Sequence, residues 1–302
     1  FRDRLHALPY SHTAQLLFYR KDLFEELTNQ RLFFEKTKRH LCIPDDWESY
    51  NLTARFFTRS ENPESPTLYG TTLGARNPSG AVCEFLPRAW AFGGELFQNG
   101  KCTLDDEACI RALHCYQESF QYAHPDSPDM WWDEQVTQFA NGDAAMMIMF
   151  TDHTARLFDR AQSKVAGITG CALLPGRASV LGGWSIALSS ECEQVNEALT
   201  FINWVCAERM VIPNAALGRV EPRRSVYGNS ALTSFCPYVE WLSEAFSHAK
   251  RRSLPKDPRG AGVPESRLEE ILGAAVHSTI IGAAQPAEAL RAAARELDQA
   301  IR

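Results

Sequence analysis

Four of the seven tryptophans in this 302-residue chain, Trp90, Trp131, Trp132 and Trp184, lie in or beside stretches that read as loops. A loop indole has a flat apolar face and one N–H, which suits it to stacking on a small molecule that is polar at its rim. Trp184 is the most specific of them. It follows Gly182-Gly183 and precedes Ser185-Ile186-Ala187-Leu188. Glycine permits backbone angles and close approaches that a Cβ forbids, and Trp184, Ile186 and Leu188 alternate onto one face. The pattern predicts a tight glycine turn that throws one indole into the open and then enters a strand. The competing reading is a glycine bulge with a half-buried core tryptophan. Trp47, Trp204 and Trp241 fall in helical stretches and are assigned to packing.

Residues suited to bond making are scarcer. The sequence contains no G-x-S-x-G, H-E-x-x-H, G-x-x-x-x-G-K-[ST] or G-x-G-x-x-G motif. Asp152-His153 could supply half of a nucleophile-activating set, but neighbours in a strand-like segment point in opposite directions. The acidic pairs Asp45-Asp46, Asp105-Asp106 and Asp133-Glu134 sit near helix starts, where carboxylates complement the helix dipole. No pair is singled out for glycoside hydrolysis, which needs two carboxylates facing each other across a cleft. Nine cysteines with no C-x-x-C pair argue against zinc-ribbon and thioredoxin-like sites. No enzymatic activity, metal or cofactor is expected. So many unpaired thiols suit a reducing compartment better than an oxidising one.

A formal net charge of -6, with 45% hydrophobic and 23% charged residues, describes a soluble globular chain. It gives no general attraction for phosphate backbones, so direct nucleic-acid contact is not expected. The basic clusters Lys36-Thr37-Lys38-Arg39 and Lys250-Arg251-Arg252 read as solvated helix ends. No apolar run approaches the roughly 20 residues of a membrane-spanning helix.

Strands are predicted at Leu16 to Tyr19, Leu68 to Leu73 and Ala144 to Phe150. Helices are predicted after Asp22, after Asp45 or Asp46 through Trp47, Tyr50, Ala54 and Phe57, and from a capping-box-like Thr103…Asp106 with Cys109, Ala112, Leu113, Tyr116 and Phe120 on one face. A further helix spans Ser190 to Arg209, capped by Ser189 or Ser190, with Ala198, Phe201, Ile202 and Val205 at helical spacing. A last one starts at Pro286 with Leu290, Ala294, Leu297 and Ile301 in register. Asn77-Pro78-Ser79-Gly80 reads as a turn. Alternating strands and helices argue for an α/β architecture.

Five passages, in order, resemble one family. They are Leu8-Pro9-Tyr10 with Leu16 to Phe24, Ile43 to Tyr50, Ala89 to Leu96, Phe139 to Met146, and Leu181 to Ser189. The family is that of the extracytoplasmic solute-binding proteins of ABC importers, in its carbohydrate-binding branch. The resemblance implies a two-lobed, type II periplasmic-binding-protein-like α/β fold with lobe one incomplete, since in the family the first strands of lobe one precede the passage that here begins at Leu8. Residues 10–184 and 230–302 would form lobe two. Residues 1–9 and 185–229 would be the remnant of lobe one and the hinge crossings. It further implies that the cleft is faced by Trp184, Gly183, Trp90, Gly93, Phe150, Asp152 and His153, with Tyr10 and His12 beside the first crossing and Arg224 (or Arg223, one register away) from a "P-R-SV" stretch. The partners implied are a small solute, in chemical terms a mono- or oligosaccharide, and the permease subunits of an ABC transporter, with the chain itself a monomer. Two alternatives stand beside this reading: the sensor domain of a cytoplasmic transcriptional regulator built on the same fold, which the cysteines favour, and a carbohydrate-active enzyme.

Overall fold

The computed structural model describes residues 5–76, 78–252 and 264–300. In chain order its elements are β1 (Leu8–Arg20), α1 (Lys21–Glu25), α2 (Leu27–Thr37), α3 (Trp47–Phe56), β2 (Tyr69–Thr72), α4 (Pro78–Ala91), β3 (Phe97–Gln98), β4 (Lys101–Cys102), α5 (Glu107–Ser119), α6 (Trp132–Ala140), β5 (Ala144–Phe150), β6 (Thr169–Ala172), β7 (Ser179–Ile186), α7 (Val195–Val205), α8 (Val211–Ala216), α9 (Ser230–Phe235), α10 (Val239–His248), β8 (Ala249–Lys250), α11 (Glu265–Ile280) and α12 (Pro286–Ala300). Short 3-10 turns fill several connections, including Thr151–His153.

The main sheet runs β2-β5-β1-β7-β8, with β6 also paired to β1. β1 is thirteen residues long and serves two sets of neighbours. Its second half pairs with β5 along one edge, Gln15 opposite Phe150, and with β6 along the other. Its first half pairs with β7, Ser11 opposite Trp184 and His12 opposite Gly183.

Every residue of β5 is buried, as a continuous apolar run requires when both faces of a sheet are covered. Met147 and Met149 join Leu16 and Phe18 on one face, under Val136 and Phe139 of α6 and Leu242 of α10. Met146, Ile148 and Leu17 pack on the other face against Phe33, Trp47 and Tyr50 of α2 and α3. A third cluster, with Phe85, Leu113, Leu272 and Leu290, unites α4, α5, α11 and α12. Leu290, Ala294 and Leu297 are buried as their spacing predicts; Ile301 lies outside the described residues.

Several local expectations need correction. Pro78 begins α4 instead of sitting in a turn, in keeping with proline's tolerance at a first helical position; Asn77 lies outside the described residues. Asp46 does form a capping box with Ser49, but α5 starts after Asp106, and the Thr103 hydroxyl donates to the carbonyl of Glu95 instead of capping. α7 begins at Val195, five residues later than the serine cap would place it, because Ser189 folds back to accept the N–H of Glu191. Its Ile202 and Val205 are buried, whereas Phe201 is 55% exposed.

All nine cysteines are free, six of them buried. Burial pushes the thiols of Cys83, Cys109 and Cys171 up to about 12 from an ordinary 9.0. The folded state therefore holds these protons while the unfolded chain loses them above about pH 9, so stability falls with rising pH across that window. Urea unfolding is expected to show a lower midpoint at about pH 10.5 than at about pH 8. Thiol labelling of the native protein at the lower pH should mark exposed Cys42 well before buried Cys83, Cys109 or Cys171.

Candidate ligand-binding site

The site grows from the paired outer halves of β1 and β7. Gly182 and Gly183 lie within β7, so the indole is delivered by a strand and not by a turn. A Cβ on Gly183 would sit 2.7 Å from the carbonyl oxygen of Ser11, and one on Gly182 would sit 2.7 Å from Cγ2 of Thr13 and 3.1 Å from the ring of Phe150. Both positions need glycine for the two strands to approach and for Phe150 to fit beneath them. The next residue, Trp184, is 63% exposed.

Exposure does not leave Trp184 loose. Its Nε1–H donates to Oδ2 of Asp152 at 3.0 Å. The other carboxylate oxygen of Asp152 accepts the Thr13 hydroxyl at 3.0 Å, and Thr13 also lies 3.1 Å from the Thr151 hydroxyl. Asp152 thus ties β7 to β1 through the short turn that follows β5. The indole's one polar group is used internally, which leaves its two faces apolar. Asp152 and His153 occupy this 3-10 turn, not the strand-like segment inferred above.

From Phe150 the aromatic surface continues. The Trp132 ring meets Phe150 at 5.3 Å and His153 at 5.1 Å between centroids, both edge-to-face, and stacks on Trp131 at 4.2 Å. Such edge-to-face and stacked pairs follow the quadrupole of the rings. The edge of Trp131 rests over Gly80 in the first turn of α4, where a Cβ would come within 2.9 Å. His153 lies 3.8 Å from a carboxylate oxygen of Asp133. Trp131 and Trp132 were recognisable as loop tryptophans, but nothing in their spacing linked them to Phe150; the contact is made by α6 packing beside β5.

Past Val180, where β8 stops pairing, the outer edge of β7 borders a cavity of about 390 Å³. Trp184, Gly183 and His12 line it together with Arg251, Arg252 and Glu265. His12 stands opposite Gly183 and so projects from the other face of the ribbon than Trp184; its ring lies 6.1 Å from that of Phe246. Arg252 is the main departure from expectation. It follows a strand instead of ending a helix, and ion pairs to Glu265 and Glu269 hold it partly buried.

The other anticipated residues lie in different surroundings. Trp90 is inside α4, only 8% exposed, in the cluster with Phe85 and Leu113, so the loop setting read from sequence does not hold. Gly93 follows the end of α4 with a φ of 88°. Tyr10 stacks under the guanidinium of Arg219, which also donates to the Tyr10 carbonyl at 2.6 Å and pairs with buried Glu221 at 3.2 Å. Arg223 is engaged by Glu221 and the Cys206 carbonyl, while Arg224 is exposed at the start of a 3-10 turn. Among the described residues no group of three His, Cys, Asp or Glu side chains could hold a metal ion, and no helix is long and apolar enough to cross a membrane.

A family model, described as bacterial extracellular solute-binding protein, matches residues 2–210. The chain belongs to that family. It is 24% identical over 276 residues to a mannitol-binding protein of Pseudomonas aeruginosa, a match that covers 87% of this chain and 59% of the relative. Its fold matches maltose-bound MalE3 of T. maritima with a TM-score of 0.82 at 22% identity, over 99% of this chain and 73% of that one. It also matches an ABC transporter solute-binding protein of Agrobacterium radiobacter in complex with ribitol, with a TM-score of 0.79 at 24% identity, over 99% and 72%. The α/β architecture is therefore that of the two-lobed periplasmic binding proteins. The chain spans somewhat under two thirds of the mannitol-binding relative. None of these similarities supports the regulator or enzyme alternatives.

Gly183→Ala tests the strand geometry. The added methyl meets the backbone of Ser11, which cannot swing away as a side chain could, so a loss of about 1–3 kcal/mol is expected in urea unfolding. Ser185→Ala, on the same strand but without such a contact, should stay within about 0.5 kcal/mol of the wild type.

Proposed function

We propose that this family member captures a sugar or polyol and releases it unchanged, as the binding component of an ABC importer outside the cytoplasm. The observation that carries this reading is Trp184: exposed, at the edge of a cavity, with its N–H held by Asp152. A saturated ring or carbon chain bearing hydroxyls has C–H faces for such an indole and donors and acceptors for the carboxylate and guanidinium groups nearby. The Phe150, Trp132 and Trp131 surface extends the same chemistry. The ligands named for the similar proteins, mannitol, maltose and ribitol, all belong to that class.

In this reading residues 10–184 and 230–302 make up one lobe, and residues 1–9 and 185–229 belong to the other lobe and the crossings between them. The change along β7 from buried Ser179 and Val180 to exposed Gly183 and Trp184 supports a boundary near that point. Contacts from both lobes would favour a closed state, since a ligand can drive closure only through a difference in its affinity for the two states. Trp184, Gly183, Phe150, Asp152, His153 and His12 remain the core of the proposed site. Trp90, Gly93, Tyr10 and Arg224 would act from further off or in the closed form. Transfer to permease subunits and a monomeric state complete the proposal.

Calorimetric titration with D-mannitol, ribitol and maltose is the direct test. At least one should bind, and Trp184→Ala should weaken it by about tenfold or more, the loss expected when an aromatic anchor is truncated. Prolonged incubation should return the solute intact by product analysis. Failure of the whole panel to bind, or binding indifferent to Trp184→Ala, would count against this function.

A further inference from the structure

The cavity beside Trp184 is also bordered by an ion-pair cluster whose arrangement bears on which solutes can enter. Arg252, with 19% of its side chain exposed, sends one terminal nitrogen to Oε1 of Glu265 at 2.6 Å. Its other terminal nitrogen donates to Oε1 of Glu269 and lies 3.7 Å from the buried Cys83 sulfur. The Ser79 hydroxyl, in the first turn of α4, donates to the same Glu269 oxygen at 3.0 Å. Arg252, Glu265 and Trp184 line one cavity. The cluster joins three separated pieces of chain: the segment after β8, the start of α4 and the first turns of α11.

A guanidinium recognises a carboxylate or phosphate best through its fork, two parallel N–H donors taken at once. Here each terminal nitrogen of Arg252 already gives an N–H to a protein carboxylate, so two of its five donors are taken and its charge faces two carboxylates. An incoming anion would have to displace Glu265 or Glu269, or sit beside both. Arg251, the other cation at the cavity, is exposed and its charge is solvated. What the cluster still offers are carboxylate lone pairs, because each oxygen accepts more than one hydrogen bond. Glu265, 48% exposed, offers them to the cavity most openly. Lone pairs call for hydroxyl donors, and a pair of adjacent hydroxyls can donate to a carboxylate while accepting from a neighbouring N–H.

Building on the solute-binding reading above, we propose that Arg252, Glu265 and Glu269 are specificity-determining residues that read neighbouring hydroxyls of a neutral sugar or polyol and reject acid sugars. Arg252 positions the two carboxylates, Glu265 meets the solute, and Trp184 supplies the apolar face. Selection against anions then arises from the like charge of two carboxylates set against one guanidinium, a repulsive element added to the attractive one.

D-mannitol and D-mannonate share a six-carbon hydroxylated chain and differ by a carboxylate in place of one terminal carbinol. Titration calorimetry on the full chain should find mannonate weaker than mannitol by about tenfold or more. Glu265→Gln, which keeps shape and removes charge, should improve mannonate binding by about three- to tenfold and so narrow the gap. Arg252→Lys should weaken mannitol by about tenfold, since an ammonium cannot hold both carboxylates in place. Thermal unfolding monitors whether each variant folds; should Arg252→Lys fail to fold, the half-exposed Glu265→Gln carries the test alone. Equal affinity of the wild type for the two solutes, or a ratio unmoved by Glu265→Gln, overturns the selectivity while leaving solute binding intact. If mannitol, ribitol and maltose all fail to bind, the solute reading itself falls, and this inference with it.

Discussion

One strand is asked to satisfy two incompatible surroundings, and the rest of the molecule is arranged around that demand. The second half of β1 is a core strand, apolar on both faces and flanked by β5 and β6. Its first half pairs with β7, and Ser11, Thr13 and, where the pairing passes to β5, Gln15 share one face. Those polar residues are buried as well, so each must find a partner. Ser11 accepts from the N–H of Val220, Thr13 donates to Asp152, and Gln15 bridges the Cys83 carbonyl and the Val180 N–H. Each of these bonds fixes a different segment: the loop after α8, the turn after β5, the first turns of α4 and the start of β7.

Because β1 collects these segments, the candidate site is built from pieces that are remote in sequence yet rigid in place. Trp184 is held through Asp152, whose turn is held through Thr13. Phe150 fits under Gly182 because no Cβ stands in the way. A binding surface that is organised before the ligand arrives spends less of its contact energy on ordering side chains. An exposed indole whose N–H is tied to Asp152 is ordered in that way. The ion pairs around Arg252 do the same for the polar side of the cavity, where a free guanidinium and two free carboxylates would each carry considerable side-chain entropy.

Much of the scaffold was legible because its signals are local and strong. The apolar run of β5, the Asp46 cap of α3 and the Pro286 start of α12 each state their structure within a few residues. Legibility failed where a long-range contact overrode a local preference. Trp90 looks like a loop residue beside Gly93-Gly94, yet it is the penultimate residue of a helix buried against α5 and α11. The serines before α7 look like caps, but one is used in a turn of its own. Arg252 looks like surface charge, and only α11 folding back over α4 surrounds it with Glu265, Glu269 and Cys83. Trp131 and Trp132 were visible as loop tryptophans without any local hint of the ring they would meet.

From the sequence alone came the α/β class, the family resemblance, the glycine-flanked indole and the lack of familiar catalytic or metal-binding motifs, because each depends on residues within one short window. Tertiary structure decided which of the named residues share a neighbourhood. It joined Trp184 to Asp152, Phe150 and the paired tryptophans, placed Trp90 in a helix core, and set His12 on the opposite face of the ribbon from the indole. Those outcomes rest on strand register and helix packing. A register shift of one residue along β1 would turn Thr13 away from Asp152, and no short stretch of sequence specifies that choice by itself.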